Sequence, residues 1–127
     1  MSISFLQFSL QFAVDAVVDE FSQTLPDGST MPKVRIIGGD LEKNGITQNQ
    51  QIRGFEREDK PLRSVLTDLV LGANPDKTAT GPKDVKQSLV WVVHPVGKPP
   101  EETEILVTTR DAAAGQYVLP AEFQLDE

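Results

Sequence analysis

The sequence predicts an α+β fold, a βαββαββ module with two helices packed on small mixed or antiparallel sheets. Three observations predict it. Alternating or β-branched apolar residues fill five short runs, apolar residues recur three and four apart in two longer runs, and the order is strand, helix, strand, then strand, helix, strand, strand. Each helix carries one apolar stripe and must bury it against another layer. The segments between are too short and too few for a doubly wound parallel sheet.

The elements follow in order. Ile3 and Phe5 alternate with Ser2 and Ser4, which is strand spacing. From Ser9, a suitable N-cap, the stripe Leu10, Ala13, Val14, Val17 and Phe21 has helical spacing, and Pro26-Asp27-Gly28 reads as the turn that ends it. Lys33 to Ile37 is β-branched and bounded by Pro32 and Gly38-Gly39, a strand, and Asp40 to Thr47 reads as a loop. Gln50 to Phe55 alternates again. Pro61 then opens a helix whose Leu62, Val65, Leu66, Leu69 and Val70 form one stripe, with Gly72 or Asn74 able to end it in a left-handed cap before Pro75. The polar stretch Asn74 to Gln87 has no periodicity, and a connection of that length tends to be mobile or functional. Leu89 to Val93 reads as a strand buried on both faces, and Glu104 to Thr109 as its antiparallel partner across the proline-rich connection His94 to Pro100.

At 127 residues the chain has the size of one domain, 1–127, with a core module over 1–110 and a tail over 111–127 that packs back through Tyr117, Val118, Leu119, Phe123 and Leu125. The net charge of −7 argues against nucleic acid and against an anionic membrane surface, both of which need a basic footprint. The charge is uneven: residues 1–30 and 101–127 carry −4 and −6, and the middle of the chain is mildly basic. Ile3 to Val18 lacks a basic leader and is interrupted by Gln7, Gln11 and Asp15, so it reads as neither a signal peptide nor a membrane span. The absence of cysteine excludes disulfides, thiol catalysis and cysteine-held metals.

Little in the chain points to catalysis. His94 is the only histidine, and acid–base work with Glu101, Glu102 or Glu104 would need a concave pocket around it. No serine lies in a Gly-x-Ser-x-Gly elbow. Asp40, Glu42, Asn44 and Gly45 mimic the start of a calcium loop, but Gln51 stands where a bidentate glutamate is needed, which favours a glycine-assisted turn. Gly38-Gly39 leads into Asp40, whose charge would repel a phosphate. No catalytic residue, metal ligand or cofactor is expected, and the chain is read as a non-enzyme.

Two surfaces could bind a partner. The loop Gly45 to Gln51 is dense in neutral amides that suit a peptide or sugar, and Arg53, Arg57, Lys60 and Arg63 could form a docking patch for an acidic partner. Interleaved Glu56, Glu58 and Asp59 make a solvated, ion-paired surface the plainer reading of that cluster. The candidate partner-binding residues are therefore Gln48, Asn49, Gln51, Arg53, Arg57 and Arg63. The strand of Ile36 or that of Ile105 could offer a free sheet edge for strand addition. Trp91 reads as core before it reads as a ligand anchor.

The order of elements resembles the secretin and TonB short N-terminal domain, a βαββαββ module. Three stretches carry the likeness: Ile3-Ser4-Phe5 leading into the helix from Ser9, Gln50 to Phe55 leading through Lys60-Pro61-Leu62-Arg63 into the second helix, and the closing pair Leu89 to Val93 and Ile105 to Thr109. The resemblance spans about residues 3–110. It implies a non-enzymatic protein–protein interaction module of a bacterial cell-envelope or exported protein, with a periplasmic or envelope location. Its partner would be a protein, including another copy of the chain, with no nucleic acid and no direct membrane insertion. Binding would use a sheet edge with the 74–88 and 95–103 loops. The alternative is a small carbohydrate- or ligand-binding domain built on the Gly45–Gln51 loop and Trp91.

Overall fold

A computed structural model describes residues 2–25, 33–47, 49–95, 103–114 and 116–124. The turn expected at Pro26-Asp27-Gly28, the connection Val96 to Pro100, Glu101, Glu102 and Leu125 lie outside the described residues. The strands are β1 (Ile3–Ser9), β2 (Lys33–Ile36), β3 (Gln51–Arg57), β4 (Leu89–Pro95) and β5 (Thr103–Thr109). The helices are α1 (Leu10–Ser22), α2 (Gly38–Lys43), α3 (Leu62–Ala73) and α4 (Arg110–Ala113), and a 3-10 turn spans Ala121–Phe123. With the short α2 and α4 set aside, the order is the βαββαββ that the periodicity predicts.

The strands form two small sheets. β1 and β3 make an antiparallel ribbon, and β2, β5 and β4 make a mixed sheet in that order, with β2 parallel and β4 antiparallel to β5. α1 and α3 pack on each other between them, both against the ribbon on one side, α1 against β2 and α3 against β4 on the other. This layering explains the stripes: Leu10, Ala13, Val14 and Val17 of α1 meet Val65, Leu66, Leu69 and Val70 of α3 in one core. α2 and α4 cover the far face of the mixed sheet, where Val92, Leu106 and Ala113 form a second, smaller cluster. β4 is therefore buried on both faces from Leu89 to Val92.

Several local expectations change. The residues read as a loop after Ile37 begin with a helix, α2, whose Asp40 and Leu41 amides donate to the Ile37 carbonyl. A six-residue helix with a single buried apolar side chain, Leu41, has no periodicity to read. Asn74 does not end α3 in a left-handed conformation; its φ of −59° and ψ of 131° carry the chain away extended. The Asn74 side chain accepts from the Ser88 and Leu89 amides and donates to the Asp76 and Lys86 carbonyls, which closes the long polar connection upon itself.

That connection is held at further points. Asp76 bonds Thr78, Asp84 bonds Thr80 and the Lys86 amide, and the Gln87 amide group donates to the Val70 and Leu89 carbonyls. Arg110 then gathers the carbonyls of Pro82, Asp84, Gln87 and Phe123, joining connection and tail. Phe123 is 0% exposed and meets Trp91 edge to face at 6.0 Å. Burying a phenylalanine of that size contributes about 1.5–3 kcal/mol.

Candidate functional site

Among the described residues, each strand of the ribbon has a neighbouring strand on one side only. Its shape follows from one residue. Gly54 has φ +62°, so β3 kinks there and the residues facing inward change from Ile52 to Phe55, three apart rather than two. β1 keeps register, with Phe5 opposite Phe55 and Phe8 opposite Ile52. Between those two inward pairs lie Leu6 and Gln7 on β1, with Arg53 opposite Gln7. Leu6 is 91% exposed.

Aromatic rings support this surface from beneath. Phe5 stacks on Phe55 at 5.1 Å and on Phe8 at 4.4 Å, and Phe8 meets Phe12 of α1 at 4.6 Å. Phe12 is 58% exposed, and with Gln7, Phe8, Ser9 and Gln51 it lines a shallow groove of about 340 Å³. The Gln7 side-chain amide donates to Gln51 Oε1 at 2.9 Å, and the Gln51 side-chain amide donates to the Asn49 backbone carbonyl at 2.8 Å, so the polar rim is fixed. Ser9 caps α1 through the Phe12 amide at 3.2 Å and thereby sets where Phe12 emerges.

The candidate residues divide on this geometry. Gln48 lies outside the described residues. Asn49 and Gln51 are exposed at the groove end of the ribbon, and Arg53 is exposed beside them. Among the described residues Arg53 is the one arginine with no ion-pair or hydrogen-bond partner. Arg57 belongs elsewhere. It follows the phase of Phe55, lies over that ring at 4.5 Å and pairs with Asp68 of α3 at 2.7 Å. Arg63, on α3, holds Glu122 through two hydrogen bonds and lies 5.4 Å from the Trp91 ring. The basic cluster of the sequence is thus divided among three environments and forms no single patch. Leu6 and Phe12 escaped the sequence reading, although each carried a signal. Leu6 breaks the alternation of Ile3 and Phe5, and Phe12 is an aromatic residue off the Leu10–Val17 stripe.

The other candidates are structural or differently placed. Trp91 is 2% exposed and donates its indole N–H to Thr67 Oγ1 at 3.0 Å, so it cannot stack on a ligand. The strand of Ile105 is central in its sheet and offers no edge, whereas β2, with Ile36, is an edge. Asp40 accepts from the Thr108 hydroxyl at 2.7 Å and so ties α2 to β5, and Gly45, with φ +71°, makes the turn after it. His94 stands at the end of β4 with Nδ1 3.6 Å from Glu104 Oε1, the oxygen that also binds Arg35 at 2.9 Å. The hydrogen bond from Arg35 holds the Glu104 carboxyl below its ordinary range. A carboxylate so committed is poorly matched to base catalysis near neutrality. Among the described residues no three His, Asp or Glu side chains converge as a metal would require, and no helix is long and apolar enough to cross a membrane.

No protein-family model matches the chain, and no curated protein or solved structure matches it.

Proposed function

We propose that the protein is a non-enzymatic protein–protein interaction module of a bacterial cell-envelope or exported protein, akin to the secretin and TonB short N-terminal domains, and that its β1–β3 ribbon is the binding surface. The observation that carries this reading is Leu6, a leucine 91% exposed at the middle of a strand that is an edge among the described residues, next to Gln7 and the Arg53 opposite it. An edge strand offers unpaired backbone groups, and adjoining side chains select what adds to it. The order of elements supports the family resemblance independently of the surface. The test is capture from the native organism's envelope fraction by the intact chain and by Leu6→Asp and Arg53→Glu variants. The reading expects a defined protein retained by the wild type and lost by Leu6→Asp with the fold intact. Capture of nothing, or equal capture by all three, contradicts it.

One observation favours a second reading, a small polar ligand such as a carbohydrate. A groove of about 450 Å³ lies between α1, α2 and the Gly45–Gln51 loop, lined by Gln11, Gly38, Glu42, Ile46, Thr47 and Asn49. Calorimetric titration with a panel of neutral sugars tests it. Binding that Asn49→Ala weakens supports this reading, and no heat from any sugar removes it.

A further inference from the structure

We infer that Asn44-Gly45 is a site of spontaneous covalent modification, deamidation through a cyclic imide, and that the fold sets its rate by holding both reacting groups in hydrogen bonds. The site is independent of the interaction surface on the ribbon.

The chemistry is intramolecular and needs only water. The Gly45 backbone nitrogen, once it has lost its proton, attacks Asn44 Cγ; the Cγ–Nδ2 bond breaks and ammonia leaves, giving a five-membered imide. Water then opens the ring at either carbonyl. Addition at Cγ leaves aspartate, and addition at the backbone carbon leaves isoaspartate, linked onward through its side chain. No oxidant or reductant is involved. The step is limited by access of that nitrogen to Cγ, which a side chain on the following residue obstructs. Of the chain's three asparagines, Asn74 precedes Pro75, which has no N–H to lose, and Asn49 precedes Gln50. Asn44 alone precedes glycine, and even an added Cβ at Gly45 would meet nothing within 4 Å, so no neighbour crowds the approach.

The structure restrains this site in three ways. Asn44 ends α2 with ψ 13°, which turns the Gly45 nitrogen toward the Asn44 backbone nitrogen and away from the Asn44 side chain. The Gly45 N–H donates to the Glu42 carbonyl at 3.0 Å. The Asn44 carboxamide donates to Thr109 Oγ1 at 3.2 Å and to the Asp40 carbonyl at 3.4 Å, which ties the leaving group to the end of β5. Both residues are nonetheless exposed to water. The imide therefore forms when the last turn of α2 releases the Glu42 carbonyl and Thr109, a local opening that costs less than global unfolding. The isoaspartate product lengthens the backbone by one methylene between Leu41 and Ile46, both 0% exposed, whose backbone hydrogen bond of 2.9 Å spans the site. Modification thus loosens the turn that delayed it, and it adds a negative charge to a segment that already holds Asp40 and Glu42.

The test incubates the intact chain in mildly alkaline heavy-oxygen water, native and unfolded in urea, and locates the label by peptide mass spectrometry. Label should enter at Asn44 ahead of Asn49 and Asn74 in both states. The native rate should be lower by about tenfold or more, because two hydrogen bonds must open together and each is worth about two- to tenfold. Thr109→Val, with an unchanged circular dichroism spectrum, should raise the native rate about twofold or more and leave the unfolded rate alone. Thr109→Ser, which keeps the hydroxyl, should stay near the wild type. Asn74→Ala, which weakens the fold away from α2, should leave the native rate at Asn44 unchanged. Equal native and unfolded rates, label entering first at Asn49, or a native rate indifferent to Thr109→Val overturns the inference. So does a rate raised as much by Asn74→Ala as by Thr109→Val, since global unfolding would then be the gate.

Discussion

Asn74 organises more of this protein than its position at a helix end suggests. Its one amide group serves four backbone groups, those of Asp76, Lys86, Ser88 and Leu89, and so converts a long polar connection into a fixed structure. Asn74→Ala leaves two amides without their acceptor, and should cost about 2–3 kcal/mol in urea unfolding. Asn74→Asp should cost a comparable amount at neutral pH, since a carboxylate cannot donate to the two carbonyls. Arg110 does similar work with four carbonyls, and its burial lowers the guanidinium pKa from the ordinary value against the opposing pull of the Asp84 charge. Arg110→Met should cost about 1.5–3 kcal/mol, with Lys restoring only part, because one ammonium cannot reach the carbonyls that a planar fork spans. Neither residue could be singled out in the sequence. The polar stretch reads as loose because side chain-to-backbone bonds over 12 to 28 positions leave no periodic trace.

At the scale of elements, legibility followed length and periodicity. The stripes of α1 and α3 and the β4–β5 pairing were readable because burial repeats along them. The Ser9 cap was readable because it acts locally. α2 was not, having one buried residue, and the kink of β3 was not, since a glycine within a strand does not declare its φ. The kink decides which residues of the ribbon face outward, so the candidate site was only partly legible: Asn49, Gln51 and Arg53 lie at it, Arg57 and Arg63 do not, and Leu6 and Phe12 had to be seen in place. Gly54→Ala should cost about 1–2 kcal/mol in unfolding, wholly from the left-handed backbone, because an added Cβ there meets nothing within 4 Å. Gly39→Ala, also open around its Cβ and without a positive φ, is the contrasting control and, lying in α2, should raise stability by up to about 1 kcal/mol.

At the scale of the molecule, the tail is fastened to the core through Phe123 under Trp91 and Glu122 on Arg63. Trp91 fluorescence should accordingly be blue-shifted and resist acrylamide until the chain unfolds. The Arg63 hydrogen bonds hold the Glu122 carboxyl below its ordinary range, with partial burial opposing them. A carboxyl whose folded pKa is depressed stabilises above its unfolded pKa, about 4.3 for glutamate, and that contribution fades as pH falls through the folded pKa. Stability should therefore decline below about pH 4.5, and Glu122→Gln should flatten the decline without altering stability in the range above pH 6 by more than about 1 kcal/mol. β1 itself carries no charged residue, and the proposed function needs this strand to be in contact with a partner. Its most direct test replaces Leu6 with a photo-activated cross-linking residue in the intact chain, in its native cell, with the same residue at Val118 for comparison. A discrete protein adduct should form from position 6 alone. No adduct, or the same products from both positions, would contradict it.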